Sequence, residues 1–581
     1  MKERHTVLRI GDGVSFLLGL YGALGILGCQ GSDKTAPTPD ITDSVGVDTA
    51  VHTDIEDTIT VQWRMQSDSL QYLDGVIHTT EYIVLGGKQG IRLVDAQTGI
   101  SLDAQSSDTI YSVVSDGVWI ASGTREHRIS LWQVQDGNLQ PSGFIDVASV
   151  LGDDIYTDIA LGSDRVAVAS RDHGVLIYDL RGELQTVLGT GTMDVVEIVD
   201  GMLLYTGGQT LYLTSLEQPT DIQRYTLPIQ SHVFDISVSE RYIALAMGMQ
   251  GCAVLERDSA TNSIQSMGMT DSQCLSVEIE DNLLFSGDGK RVEMWNIEST
   301  LQRLGTEISS NAMVAIDARD HRLLMVDWSS PMLTNVQSLD DMDAQPDLVV
   351  NSALYYSSGE SYAQTLWLRN YGTDTLIVDV DTPIDTRIDL DSIVIEAHQE
   401  YPLSIQPSAD TWEIQEITLT SNDVDTPSQS ITLVQSETAT DTTHVDFALP
   451  ILQYTQNSLR LLDMRGKILV LVWWNSDHPL SMWDLYLAED IARIYPGEDV
   501  AVVLANYGEL RGTIEQYLQQ SHVSLPCLMD QQGVVFQQYP DIIEGFAEYP
   551  LYVVIDQYGV IRYIHRHWDG YLLKKSIDAI R

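Results

Sequence analysis

One pattern recurs along residues 58–345: an apolar strand, a turn containing Gly or Asp, and an alternating strand that ends in polar residues. Tyr82-Ile-Val-Leu-Gly-Gly is followed by Ile91-Arg-Leu-Val-Asp95, Val118-Trp-Ile-Ala-Ser-Gly by Ile129-Ser-Leu-Trp-Gln133, and Val166-Ala-Val-Ala-Ser by Val175-Leu-Ile-Tyr-Asp179. Strand starts fall at 82, 118, 166, 203, 242, 283 and 323, about 36 to 48 residues apart. A strand-rich repeat of that period is one four-stranded blade of a β-propeller, and seven blades fit one ring. Closure is needed because an open stack leaves strand edges free to pair with other chains. The last copy is short after Val336, and Thr58-Ile-Thr-Val-Gln-Trp-Arg64 stands ahead of the first, so this early strand is expected to complete the final blade.

The repeats resemble the bacterial propeller repeats typified by a Leu-Val-Ile-Val-Asp strand, and that resemblance implies a binding platform more than a chemistry. Two cysteines fall inside the ring. Cys252 opens a strand after Gly248-Met-Gln-Gly251, and Cys274 precedes the inner strand of the next blade. In an exported protein they form either a disulfide or two buried free thiols.

The 581 residues carry 83 acidic and 32 basic side chains, a formal net charge of -51. Such a surface repels phosphate backbones, which excludes nucleic acid as a partner. Export is expected from the N-terminus, where Lys2, Arg4 and Arg9 precede the apolar run Val14 to Leu27, too short for a spanning helix of about 20 residues. The run closes with Ile26-Leu27-Gly28-Cys29, which resembles a bacterial lipoprotein box; Ile26 stands where that family usually has Leu. The resemblance implies a signal peptide over 1–28, cleavage before Cys29 and a lipid anchor on its sulfur. Gln30, where Asp would signal inner-membrane retention, implies the outer membrane. An ordinary signal peptide with a chance Cys, or an uncleaved anchor, are the alternatives. Residues 29–57 are rich in Asp, Thr, Ser and Pro and read as a flexible tether.

Residues 346–437 change texture. Leu366-Trp-Leu-Arg-Asn-Tyr-Gly-Thr-Asp-Thr-Leu-Ile-Val378 and Thr418-Leu-Thr-Ser-Asn-Asp-Val-Asp-Thr-Pro427 alternate as short strands around turn residues, the pattern of a β-sandwich. They resemble the immunoglobulin-like domains of the spindle-associated and hydin type, which implies spacing or adhesion. The run Asp379, Asp381, Asp385, Asp389 and Asp391 lacks the Asp-x-Asp-x-Asp-Gly order and later Glu of a calcium loop and reads as a solvated strand face, with no metal site.

Residues 438–581 alternate strands and helices: strand Ile468 to Trp474, helix Met482 to Ile494, strand Val500 to Asn506, helix Leu510 to Gln520, strands Leu551 to Asp556 and Val560 to His565, helix Tyr571 to Ile580. With Val445-Asp-Phe-Ala-Leu-Pro450, Arg465-Gly-Lys467 and Asp530-Gln-Gln-Gly533, this order resembles the thioredoxin-like redoxin families, thiol-specific antioxidant proteins among them, and Pro550 takes their cis-proline position. The active-site turn departs from the family. Asp477 and Leu480 stand where a thioredoxin has its two cysteines, Ser481 where a peroxiredoxin has its peroxidatic cysteine, and His478 and Pro479 lie between. Without a thiolate neither disulfide nor peroxide chemistry is available there. His478 and Ser481 as a hydrolytic pair lack an identified orienting carboxylate and oxyanion site, and Cys527, among apolar neighbours, reads as a buried inert thiol.

The sequence thus predicts a mostly β, multidomain chain: a seven-bladed propeller, an Ig-like sandwich and a C-terminal α/β thioredoxin-like domain. It is expected to be an envelope lipoprotein that binds or scaffolds protein or peptide partners, lipid-anchored at Cys29 on the periplasmic or surface face, without a cofactor. The alternatives are a thiol-disulfide or peroxiredoxin-like enzyme working through Cys527 or a partner's cysteine, and an enzyme with its site in the propeller channel.

Overall fold

Seven antiparallel sheets, six of four strands and one of five, make up the ring, and the innermost strand of each meets that of the next. The computed structural model describes residues 47–48, 59–65 and most of 71–581; within the latter it leaves out chiefly 337–345, 358–362, 408–414, 437–446 and 537–550, with shorter breaks elsewhere. The seven inner strands are Tyr72–Ile77, Ile110–Ser115, Tyr156–Gly162, Val196–Val199, Asp235–Val238, Ser276–Glu280 and Met313–Arg319. The last packs against the first, so the ring closes as a propeller. Its seventh blade is completed from the other end of the segment: Ile59–Met65 pairs antiparallel with Met332–Val336, in register from Ile59 opposite Val336 to Arg64 opposite Met332. The early strand therefore seals the ring as the sequence predicts, and Val47–Asp48 adds a short outer strand.

The strands located by the repeat are the second of each blade, among them Tyr82–Gly87, Ile120–Thr124 and Leu283–Gly287. Each lies between two neighbours and is covered by the adjoining blades on both faces, which accounts for its nearly continuous apolar run. The inner strands are short and half polar because one face lines the central channel.

Past the ring, two sheets pack face to face. One has the order Leu348–Val350, Gln364–Asn370, Glu400–Pro407, Thr386–Ile388; the other Ala353–Ser357, Ser428–Ser436, Gln415–Ser421, Leu376–Asp381, Ser392–Ile395. Between them Leu366, Leu368, Val378, Leu403, Ile417 and Ile431 form a dry core. Leu376–Asp381 alternates buried and exposed, which puts Asp379 and Asp381 in solvent; Asp385, Asp389 and Asp391 lie outside the described residues.

The C-terminal segment builds a five-stranded mixed sheet in the order Cys527–Asp530, Val500–Tyr507, Ile468–Trp474, Leu551–Ile555, Ile561–His565. The first three run parallel and the last two antiparallel to their neighbours. The helices are Ser481–Ile494, Arg511–Gln520 and Gly570–Ile580. The turn at Asp530 shows why Gly533 is needed. Asp530 accepts the N–H groups of Val534, Val535 and Phe536 at 3.0, 2.9 and 2.8 Å, while Gly533 has φ +68°, and a Cβ there would lie 2.0 Å from the Tyr507 ring.

From Val45 onward the chain is one compact unit. A single apolar cluster joins Met249 and Leu275 of the ring, Val349 and Tyr371 of the sandwich, and the helix-covered face of the C-terminal sheet. The same junction carries Arg369, from the sandwich, paired at 2.7 Å with Asp271 of the ring, which also holds Arg303 at 2.7 Å.

Candidate functional site at the mouth of the ring

The helix Ser481–Ile494 has two working faces. Leu485, Ala488 and Ile491 are buried in the apolar cluster that covers the C-terminal sheet. Trp483, Tyr486, Asp490 and Arg493, spaced three and four apart, form a second stripe on the helix surface, and this stripe lies on the ring. Phe234 meets Trp483 edge-on with ring centroids 6.3 Å apart. Arg171 donates to the Tyr486 hydroxyl and stacks its guanidinium 4.4 Å from the Tyr486 ring. The imidazole of His232 also stacks on that ring, with centroids 4.4 Å apart, and contacts Glu489 through Nε2 at 3.2 Å. Ser231 donates to Asp490 at 3.0 Å, and Arg493 pairs with Asp490 at 2.6 Å.

The electrostatics of this contact follow from burial. Desolvation pulls the His232 imidazole down, but hydrogen bonds to Asp194 and Glu489 outweigh it and hold it above its ordinary value. Burial pushes the Asp490 carboxyl up to about 6 against the pull of His232 and Arg493. Deeper in the C-terminal unit, burial pushes Asp484 up to about 7, and Tyr552 donates to it at 2.7 Å.

Under the helix lies a vestibule of about 430 Å³, walled by Tyr111, Tyr156, Phe234, Trp483, Tyr486 and Tyr517 among others. Leu73, Tyr111, Ser112, Thr157, Phe234 and Trp483 also border the central channel, about 670 Å³, so the two spaces adjoin. The channel is acidic. Asp74, Asp158, Asp235 and Asp317 and the glutamates Glu197 and Glu278 line it. Three of these carboxylates staple the ring together. Asp74 accepts its own strand's Gly75 N–H at 2.8 Å and Val113 N–H of the next blade at 2.6 Å. Asp158 does the same with Ile159 and Val196, and Asp235 with Ile236 and Val277. A second tier uses Ser237 on Ile279 and Asp317 on Ile77. Burial, reinforced by their mutual repulsion, pushes Asp74 up to about 7, Asp235 and Asp317 to about 6 and Glu197 to about 8.

The sequence reading found no paired carboxylates in the ring and missed this acid lining. A signal existed: Leu73-Asp74-Gly75, Thr157-Asp158-Ile159 and Phe234-Asp235-Ile236 place Asp at one position of three inner strands.

At the thiol-free turn, Ser476 is buried and donates to Glu509, which also accepts the Ser476 N–H at 3.0 Å. Ser481 is fully buried and donates its hydroxyl to the Asn475 carbonyl, and its N–H reaches the His478 carbonyl at 3.1 Å. The Ser481 proton thus faces a backbone carbonyl, which is no general base. His478 is half-buried. Asp477, Pro479 and Leu480, like Pro550 and Cys29, lie outside the described residues. Cys527 is buried, and desolvation pushes its thiol up to about 12, which leaves almost no thiolate at neutral pH. Cys252 and Cys274 are buried free thiols; a hydrogen bond links them, and burial raises Cys274 well above the usual thiol range.

No protein-family model matches the sequence, and no curated protein matches it. Among solved structures, the chain is similar to the WD40 β-propeller domain of Doa1, at 12% identity over 49% of this chain and 99% of that one, with a TM-score of 0.40. It is also similar to U3-55K, at 14% identity over 48% of this chain and 98% of that one, with a TM-score of 0.38. A third likeness is to the computationally designed Ika8 protein, at 13% identity over 47% of this chain and 98% of that one, with a TM-score of 0.37.

Proposed function

We propose that this protein is a lipid-anchored binding or scaffold protein of the cell envelope, and that its thioredoxin-like C-terminal domain serves as a structural cap on the propeller in place of redox catalysis. The observation that carries the reading is the docking of the helix Ser481–Ile494, which follows the thiol-free turn and spends Tyr486, Glu489 and Asp490 on ring residues Arg171, His232 and Ser231. Three further facts support it: the positions equivalent to redox cysteines hold Asp477, Leu480 and Ser481, Cys527 is enclosed and protonated, and the sheet order about Ile468–Trp474 agrees with a thioredoxin-like core extended by one strand. The two packed sheets of the middle segment suit an Ig-like spacer between ring and cap.

The test uses the intact chain, because the shared apolar cluster would be opened by cutting near residue 437. Insulin reduction and peroxide consumption are expected to stay at the uncatalysed rate, and Cys527→Ser is expected to change nothing. Turnover that disappears in Cys527→Ser would instead establish the enzyme reading. For the anchor, Cys29→Ser is expected to move the protein from the membrane fraction to the soluble fraction on cell fractionation. A single fatty acyl chain binds membranes only marginally, so loss of the whole lipid modification leaves nothing comparable to hold the chain. Unchanged membrane association would refute lipidation there.

A further inference from the structure

We infer that the vestibule and the channel beneath it form one binding site for a small organic ammonium ion, with the charged head in the carboxylate-lined channel and the carbon body against Trp483, Tyr111 and Phe234. This goes beyond the protein-holding reading and does not depend on it.

The first support is geometric. A space of about 430 Å³ lined in large part by aromatic rings adjoins a polar channel of about 670 Å³, and Trp483 borders both. Aromatic faces attract cations, by about 0.5–1 kcal/mol when exposed and about 2 kcal/mol when desolvated. The second support is charge. Eight carboxyl side chains line the channel, Asp116 and Asp200 joining the six named above, and the one cationic side chain among its lining residues, Arg319, is turned to backbone, donating to the carbonyls of Ile77 and His78 at 3.1 and 2.8 Å. Arg171 on the vestibule wall is likewise held by Tyr486 and lies 4.0 Å from Asp194. An anion entering here would meet uncompensated carboxylates. A cation would relieve them.

The arrangement disfavours a metal ion. Asp74, Asp158 and Asp235 each spend both oxygens on backbone N–H donors, and among the described residues no three His, Cys, Asp or Glu side chains form a metal-holding group. Charge spread round a ring suits a large, weakly hydrated cation better than a small ion that needs convergent ligands. Glu197 is the residue on which the site should turn. It faces the channel and accepts the N–H of Ile198 beside it. Asp158, Asp235 and Asp317 repel it, as does Glu278. An arriving ammonium would draw these groups toward their ionised forms, so affinity should rise with pH between about 6 and 8 as protons are released.

The experiment is calorimetric titration of the intact Cys29→Ser chain with 2-phenylethylammonium, with benzoate and Mg²⁺ as controls. The amine is expected to bind with Kd on the order of 0.1 mM, more tightly at pH 8 than at pH 6, while benzoate gives no heat and Mg²⁺ does not displace it. Glu197→Gln should weaken the amine roughly tenfold, about 1.4 kcal/mol, while leaving the protein folded and more stable. That combination separates a binding role from a structural one. The inference is overturned by an absence of amine binding, by equal binding of benzoate, by displacement with Mg²⁺, or by unchanged affinity in a folded Glu197→Gln protein.

Discussion

Trp63→Ala should destabilise the protein by about 3–5 kcal/mol, the loss typical of removing a fully buried tryptophan. Trp63 comes from the early strand but is 2% exposed and lies in the cluster at the seam between the last blade and the first, with Ile83, Leu85 and Ala96 on one side and Leu324, Val326 and Leu333 on the other. Its indole N–H donates to the Ala96 carbonyl at 3.0 Å. The substitution would leave a cavity and an unsatisfied carbonyl where the ring is closed, and neither blade can slide inward to fill the gap without breaking the pairing of Ile59–Met65 with Met332–Val336. Gly99→Ala offers an independent check of the same packing. Gly99 has φ +69°, and a Cβ there would come 2.7 Å from the Trp63 ring, so even a methyl group must displace the indole. Urea unfolding with hydrogen exchange at residues 59–65 measures both. A loss under about 1 kcal/mol for Trp63→Ala, the level of an ordinary substitution, would mean that the early strand is a passenger and the ring is held by its other six seams.

What the sequence made legible depended on the range of the forces involved. Ile468–Trp474 was located to the residue and the three C-terminal helices to within one or two positions, because each is set by its own apolar period and by flanking turn residues. The blades were legible through their second strands, covered on both faces and therefore uniformly apolar. The inner strands were not, since four to seven residues with one face on a polar channel carry no clear period. The short strand Cys527–Asp530 was missed for a related reason: four residues after a proline give too little pattern to separate a strand from a loop. The contact between helix and ring was also invisible. Ser231 and Asp490, or His232 and Glu489, lie more than 250 positions apart, and nothing local in either segment marks its partner. The stripe Trp483, Tyr486, Asp490, Arg493 was present as a second face on a helix that needed only one to cover its sheet. That surplus is the sequence-level trace of docking. The thiol-free turn was legible as an absence, but the committed hydroxyls of Ser476 and Ser481 became apparent only with the positions of Glu509 and Asn475.

Stability should fall as pH rises from about 5 to 8.5, the reverse of the trend for proteins held by surface carboxylates in salt bridges. The direction follows from proton linkage. Burial raises the folded-state values of Asp74 to about 7, Glu197 to about 8, Asp235 and Asp317 to about 6 and Asp484 to about 7. An unfolded chain releases those protons near pH 4. Between the unfolded and folded values the native state therefore binds more protons than the unfolded one, and each pH unit of rise favours unfolding. Below about pH 4 these groups are protonated in both states and cost nothing. Above about pH 8 all are charged, and the folded state then carries the full repulsion of the channel. The staples moderate the cost, since each bridging carboxylate gains strength from ionisation through the N–H groups it accepts; Glu197, which bridges no blades, should dominate the loss. Glu197→Gln is accordingly expected to gain about 1–3 kcal/mol at pH 8, a range held below the full value of the shift because the channel admits water, and to gain little at pH 4.5. Asp74→Asn should behave in the opposite sense at low pH, losing stability because an amide places one poor acceptor where a carboxyl bridged Gly75 and Val113. Denaturant midpoints across pH 4.5 to 8.5 decide the matter. If Glu197→Gln flattens the high-pH decline, the channel carboxylates are its source; a decline of the same slope in that variant would place it elsewhere, with Asp484 beside Tyr552 the next group to test.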